Sequence, residues 1–210
     1  MPKRRRWPLI LLVLVLLGGL ATCCGCAGLW HFFPDILIAA FTENQPLTAP
    51  TVASDPLVED RLEQRFAAGG PVVISAEELM QLVDPQGEEQ IDAFWLEIHP
   101  DDSVEVTLSV RLDDEDLWFN VHGVGSFELE HGWFTHMAID DLVAGGWDLG
   151  QYMTRQELAQ QANQSLANQR AQDPDMAAAL DEVEHLWVEG GVLYVELAEG
   201  GYERFKALRR

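Results

Sequence analysis

The histidines of this chain show no compact catalytic or metal-binding motif. The sequence contains six histidines, and no pair has the His-Glu-x-x-His spacing that turns two imidazoles toward one face of a helix. His131 and His136 lie five residues apart, across an expected turn and strand. We therefore interpret the histidines as surface or edge-strand polar residues and expect no metal centre.

The densest group of carboxylates lies between residues 113 and 116. Asp113, Asp114 and Asp116 offer the oxygen ligands that Ca²⁺ prefers, and we expect Asp101-Asp102 at the same end of the sheet. The EF-hand spacing is absent, and acidic runs at strand ends commonly form solvated turns that protect sheet edges. We prefer the turn and keep calcium as the alternative.

No motif for group transfer or redox chemistry is present in the sequence. It has no Gly-x-Ser-x-Gly elbow, no phosphate-binding loop and no dinucleotide fingerprint. This pattern predicts a protein that is not an enzyme and needs no cofactor. A hydrolase with dispersed carboxylates stays an alternative, because two catalytic carboxylates far apart in the chain form no local sequence motif.

The element that positions the rest of the chain is the apolar run of residues 7–30. Its 24 residues carry no charge, and a helix of this length reaches about 36 Å, more than the ~30 Å hydrocarbon core of a bilayer. The basic cap of residues 1–6 precedes it, which favours a cytoplasmic N-terminus. We predict a single-pass transmembrane anchor in the cell membrane, with the remaining chain on the extracytoplasmic side.

Two other fates of this leader stay open. Gly18, Gly19 and Ala21 supply the small residues of a signal-peptidase site. The stretch from Leu20 to Cys23 resembles the lipobox of bacterial lipoproteins, although Thr22 departs from its usual small residue, so Cys23 is a candidate for lipidation. All three cysteines fall within the apolar run, so the rest of the chain has no disulfide framework.

The chain beyond the cap is strongly acidic. Of the 13 Lys and Arg, four lie in the cap, so nine basic residues stand against all 35 Asp and Glu, a net charge of −26. This balance argues against nucleic acid, and against an anionic lipid surface, as a direct partner.

We predict a juxtamembrane linker at residues 31–56, because residues 42–56 contain three prolines and no apolar period. We place the extracytoplasmic domain at residues 57–198 and a frayed tail at residues 199–210.

The domain begins with two short helices. The spacing of Leu57, Val58, Leu62 and Phe66 predicts that the first is amphipathic. Ser75 and Glu78 have the spacing of a capping box at the start of a second helix.

From Ile91 to Ile139 the apolar period changes from about 3.6 to 2 residues, which predicts strands. Glycine-containing turns at His131-Gly132 and Gly190-Gly191 predict two hairpins. A longer helix ending near Asp173-Pro174 and a short helix capped by Asp175 are expected to cover the apolar face of the sheet. The predicted fold class is therefore α+β: a transmembrane helix, then an antiparallel meander of four or five strands packed with one longer and several short helices.

The candidate ligand-contacting residues come from this sheet. Five tryptophans fall one to each predicted strand or sheet-end segment, at positions 95, 118, 133, 147 and 187. One interpretation is that they fill the core between sheet and helices. The other is that some of them line an apolar groove. The residues of that groove are Val106, Leu108, Val110, Trp118, Phe119, Val121, Trp133 and Trp187.

The order of these elements carries a resemblance. The anchor, the proline-rich spacer, the Ser-x-Glu-Glu-Leu helix start at Ser75, the hairpin at His131-Gly132 and the last hairpin at Gly190-Gly191 resemble the small anchored envelope proteins of the YpmS and LmeA type. The resemblance spans roughly residues 57–197. It implies a curved sheet wrapped on a helix, an apolar groove and a role in binding lipid-like envelope components. The acidic surface departs from that pattern.

Together these patterns predict a membrane-anchored extracytoplasmic protein that binds lipid-like or apolar envelope ligands. The alternative is an accessory or scaffold subunit of a membrane protein complex. The expected partners are the membrane and either a lipid or another membrane protein, with no nucleic acid. An open pocket would favour the first hypothesis, and a filled core would favour the second.

Overall fold

The computed structural model describes residues 42–48, 50, 55–82, 91–111, 117–148 and 155–208. The expected anchor at residues 7–30, Cys23 and the acidic run of Asp113, Asp114 and Asp116 lie outside this part of the chain. Within the described residues, no helix is both long and apolar enough to span a bilayer.

An antiparallel meander forms the centre of the fold, as the sequence predicts. It consists of β3 (Ile91–Ile98), β4 (Val104–Arg111), β5 (Trp118–Glu130), β6 (Trp133–Ala144) and the short β7 (Trp147–Asp148), each paired with the next. The β5–β6 turn is His131-Gly132, where both residues have positive φ, the conformation that a tight hairpin requires. The fold class is therefore α+β with an antiparallel sheet.

A second group of strands extends the sheet from β5. The closing hairpin, β8 (Val183–Glu189) and β9 (Val192–Leu197), pairs with the last residues of β5, and β2 (Val72–Ile74) pairs with β9. β4 and β8 lie along the same edge of β5, because β4 pairs with its first part and β8 with its end. The backbone N–H of Gly190 donates to Asp102 Oδ1 over 2.7 Å, which joins the two hairpins.

The helices pack on one face of this sheet, which we call the inner face. They are α1 (Val58–Ala68), α2 (Ala76–Leu82), α3 (Arg155–Gln172), α4 (Pro174–Asp181) and α5 (Gly201–Leu208). α2 packs on β3, α3 on β6 and α4 on β8. The largest fully buried side chains at this interface are Ile74, Leu129, Leu142, Leu166, Leu186 and Leu193.

The capping box predicted at the start of α2 is confirmed. Glu78 N–H donates to Ser75 Oγ, and Ser75 N–H donates to Glu78 Oε2, both over 3.2 Å. Arg65 of α1 also donates to the Glu78 carboxylate. Burial alone would raise the pKa of Glu78, but the hydrogen bonds from Arg65 and Ser75 outweigh it and lower that pKa.

The cap of α4 differs from the prediction. Asp173, not Asp175, is the N-cap, and its side chain accepts a hydrogen bond from Met176 N–H over 2.9 Å. Pro174 occupies the first turn of the helix, where its missing N–H needs no partner. α3 ends at Gln172, next to Asp173-Pro174 as the sequence predicts, and Pro174 also begins α4.

Two segments expected to be irregular are ordered parts of the domain. In the predicted tail, residues 201–208 form α5, and Arg204 pairs with Glu182 at 2.6 Å, which raises the pKa of the guanidinium. In the predicted linker, Thr42–Glu43 forms β1 and pairs with Phe119 and Trp118 of β5. Both elements are too short to be stable alone, so tertiary contacts fix them.

Candidate functional site

Four partly exposed apolar side chains lie together on the inner face, where β4 and β5 adjoin β1. Val110 is directly opposite Phe119, and Leu108 is directly opposite Val121. All four are partly buried, whereas Val106, one step along the same face, is buried in the core. We call Leu108, Val110, Phe119 and Val121 the apolar strip. It contains four of the eight residues that the sequence predicts for a ligand groove.

The segment from Thr42 to Leu47 is fixed to the opposite side of the same strands. Asn120 Nδ2 donates to Glu43 Oε2 over 2.8 Å and to the carbonyl oxygen of Gln45 over 3.0 Å. Ser109 Oγ donates to Asn120 Oδ1 over 2.6 Å. Ser109 and Asn120 are buried, so these bonds satisfy polar groups that would otherwise be costly. The segment therefore crosses the outer face, and only the pairing of β1 with β5 brings the chain to the end of the sheet that carries the apolar strip.

The structure does not bring the predicted tryptophans into one groove. Trp118 is directly opposite Arg111 in the register, on the outer face of the sheet. Its Nε1 donates to Asp92 there. Trp187 also faces outward, because its neighbour Leu186 is fully buried on the inner face. Neither residue shares a face with the apolar strip.

Of the remaining tryptophans, Trp95 is partly buried and packs against the hydrophobic core, whereas the other two do not. Trp133 and Trp147 lie at the ends of the β5–β6 and β6–β7 hairpins and are 38% and 56% exposed. Arg170 of α3 lies over the Trp133 ring, with its Cζ 4.3 Å from the ring centroid, and donates to the carbonyl oxygen of Gly132. Trp133 thus contacts the end of α3 and does not contribute to the predicted groove.

The outer face of β3, β4 and β5 carries a group of imidazoles and carboxylates. His99 Nε2 lies 3.0 Å from Glu105 Oε2, and His122 Nδ1 lies 3.7 Å from the other oxygen, Glu105 Oε1. Glu97 is directly opposite Glu105 in the register. We call Glu97, His99, Glu105 and His122 the outer polar cluster. Each side chain is at least partly exposed to solvent.

The β3–β4 turn next to this cluster is held by its own carboxylates. Ser103 Oγ donates to Asp101 Oδ1 over 2.7 Å, and this bond lowers the pKa of Asp101. Asp102 accepts from Gly190 N–H. Asp101 and Asp102 precede β4, and the acidic run expected at the same end of the sheet lies outside the described residues.

A second group of possible ligands lies further along the outer face of β5. His185 Nε2 is 2.7 Å from Glu128 Oε1, and Glu130 is directly opposite His185. The His185 ring stacks on Trp187 with centroids 4.3 Å apart, and Trp187 stacks on Tyr194 at 4.9 Å. This imidazole is therefore held by a ring stack on one side and a carboxylate on the other.

Spacing rules on the linear sequence missed both groups, because three strands contribute to the first and two to the second. The local signal was weak but present. Glu97 and His99 are two residues apart, so in a strand they occupy the same face. Only the register shows that Glu105 and His122 lie on that face too.

No family model, curated protein or solved structure matches this chain.

Proposed function

We propose that this protein is a membrane-anchored binding module whose apolar strip receives the acyl chain of a lipid at the extracytoplasmic surface of the membrane. The observation that carries the proposal is the pairing of β1 with β5 at Phe119. It joins the membrane-proximal end of the chain to the end of the sheet that carries the partly buried apolar strip.

The length of the connecting segment supports this placement. With residues 7–30 in the bilayer, only 12 peptide units separate Trp30 from Thr42, and a fully extended chain of that length reaches about 40 Å. The apolar strip therefore stays close to the membrane surface. The resemblance to anchored envelope proteins of the YpmS and LmeA type points to the same ligand class.

Charge restricts the choice of lipid. The net charge of −26 beyond the cap repels anionic headgroups, so we expect a zwitterionic or neutral lipid. Transfer of an acyl chain onto Leu108, Val110, Phe119 and Val121 removes apolar surface from water, at about 25 cal/mol per Å² of buried area.

The second candidate is an accessory subunit of a membrane protein complex. Phe94, Leu96 and Val106 are buried, so the protein's own side chains fill much of the inner face. A filled core favours this role. In that case the apolar strip binds a transmembrane or juxtamembrane segment of the partner, again beside β1.

The test uses the full chain, because a fragment that begins at Leu57 lacks β1. The protein is reconstituted in phosphatidylcholine nanodiscs that contain a phosphatidylcholine with a photoreactive acyl chain, and labelled peptides are mapped by mass spectrometry. We expect label on the peptide that contains Phe119. Phe119→Ser should reduce that label several-fold, and the control Val73→Ser, which removes an exposed apolar side chain from β2, should leave it unchanged.

Label restricted to residues 7–30 would contradict lipid binding by the strip. A photoreactive amino acid placed at position 119 then distinguishes the second candidate in native membranes. Cross-linking to a membrane protein at this position, and not at position 73, is the result expected for an accessory subunit.

A further inference from the structure

Three side chains from β3, β4 and the turn between them bring metal-ligating atoms together on the outer face. One carboxylate oxygen each from Glu97 and Glu105 and one ring nitrogen of His99 all lie within 4.8 Å of one another. Glu97 and His99 follow each other on one face, and the register places Glu105 directly opposite Glu97.

The charges of this arrangement are unfavourable without a cation. Like charges at directly opposed strand positions destabilise a sheet, and here Glu97 faces Glu105 in a chain whose net charge is already strongly negative. His99 contacts only one of the two carboxylates at hydrogen-bond distance. A divalent cation between them would neutralise both and link β3 to β4.

We propose that Glu97, His99 and Glu105 form a binding site for a divalent transition metal ion, with zinc the best fit. Imidazole and carboxylate are both zinc ligands, and three protein ligands leave a fourth position for water. Calcium takes six to eight oxygen ligands, so a site with an imidazole and only two carboxylates suits it poorly.

The geometry needs only a small adjustment. Ligand atoms bound tetrahedrally at about 2.1 Å from zinc lie about 3.4 Å apart, compared with separations of up to 4.8 Å in the structure. Glu97 is exposed, so its side chain can rotate toward the other two ligands. The adjustment therefore involves a surface side chain and not the strands.

His122 and Thr107 complete the surroundings of the site. His122 Nδ1 lies 3.7 Å from Glu105 Oε1 and 3.1 Å from Thr107 Oγ1. Thr107 is fully buried, which fixes its position on β4. His122 is therefore held by Thr107 beside the Glu105 carboxylate, without a hydrogen bond to it.

The second group, Glu128, Glu130 and His185, also has ligand atoms within 4.8 Å of one another. Its imidazole is already held by the ring stack with Trp187 and by Glu128 at 2.7 Å. Because the stack restricts adjustment of this imidazole, we assign the metal to the outer polar cluster.

The test is a titration of the full chain, purified in detergent without a histidine tag, with Co²⁺ as a spectroscopic substitute for zinc. We expect one Co²⁺ per chain, with visible absorption bands of a four-coordinate nitrogen and oxygen site, and competition by Zn²⁺. His99→Gln should weaken binding at least tenfold. His122→Gln, which removes a neighbour of Glu105 but no proposed ligand, should weaken binding less than His99→Gln does.

Two matched variants control for general loss of surface histidine. His131 is exposed at a hairpin turn, where its Nδ1 lies 3.3 Å from Glu184 Oε2, so His131→Asn should bind Co²⁺ like the wild type. His185→Gln should also retain the site. Equal binding by His99→Gln and the wild type, or loss of the bands in His185→Gln alone, would overturn the assignment.

Folding is controlled with Glu97→Gln. This variant removes the opposed charge, so in EDTA its unfolding temperature should equal or exceed that of the wild type. Zn²⁺ should raise the unfolding temperature of the wild type but not of Glu97→Gln. An equal Zn²⁺-induced rise in both proteins would show that the metal binds elsewhere and would contradict the proposal.

Discussion

Glu97 on β3 and Glu105 on β4 are directly opposed across the two strands, with His99 Nε2 only 3.0 Å from Glu105. Cross-strand pairs of like charge destabilise a sheet. Alternation of polar and apolar residues does not by itself require two opposed glutamates at these positions. This pair connects the electrostatics of the domain with its candidate metal site, and it gives the first prediction.

Glu97→Gln should stabilise the metal-free protein by about 0.2–1 kcal/mol, because it removes the repulsion between the opposed carboxylates. The measurement is urea unfolding in EDTA at low and high salt. The gain should decrease at 1 M salt, where screening is strong. Glu199→Gln is the control, since Glu199 lies in the turn before α5 and has no opposed strand residue. A gain in both variants would indicate a net-charge effect only.

Glu78→Gln should destabilise the protein by about 1–2 kcal/mol at pH 7, because it removes the charge that Arg65 and Ser75 N–H bind. The folded-state pKa of Glu78 is lowered, so its contribution is complete above the unfolded value of about 4.3 and is lost as the pH falls through the folded value. Unfolding free energies at pH 7, 5 and 3 test this dependence.

The difference between wild type and Glu78→Gln should therefore be constant from pH 7 to 5 and smaller at pH 3. Glu77→Gln is the matched control, since Glu77 lies in the same first turn of α2 and is exposed. A difference that grows on acidification would contradict the assigned direction of the pKa shift.

Gly132→Ala should destabilise the protein by more than 2 kcal/mol. A Cβ at this position would overlap the backbone oxygen of Leu180, and Gly132 has a φ of +71°. Gly146→Ala is the control, because Gly146 has a φ of +79° but a Cβ there meets nothing within 4 Å. The control should lose only the stability that a left-handed backbone conformation costs a residue with a Cβ, about 1–2 kcal/mol. Equal losses in the two variants would show that packing against α4 contributes nothing.

Asn120→Ala should release the segment around β1 from the sheet, because it removes the hydrogen bonds to Glu43, Gln45 and Ser109. Limited proteolysis with an endoproteinase specific for glutamate should then cleave after Glu43 faster than in the wild type. Ser126→Ala, which removes a hydroxyl bonded to His136 on the same strand, should not change this rate. Unchanged cleavage in Asn120→Ala would weaken the proposed placement of the apolar strip beside the membrane.

The sequence by itself determined the elements whose signals are local. The Ser75 and Glu78 capping box, the strand alternation from Val104 to Val110 and the turn at His131-Gly132 all appear where the pattern predicts them. Each involves residues only a few positions apart. Their conformations follow from short-range hydrogen bonding, side-chain alternation and allowed φ values.

Tertiary structure alone decided which distant residues meet. Strand register places Glu97, His99 and Glu105 on the outer face, and leaves Leu108 and Val110 on the inner face. The short helix at residues 201–208 packs on α4 and places Arg204 against Glu182, and β1 pairs with the edge of β5 at Phe119. These contacts join segments far apart in the chain, so their energies depend on the packed fold and leave no periodic trace in the sequence.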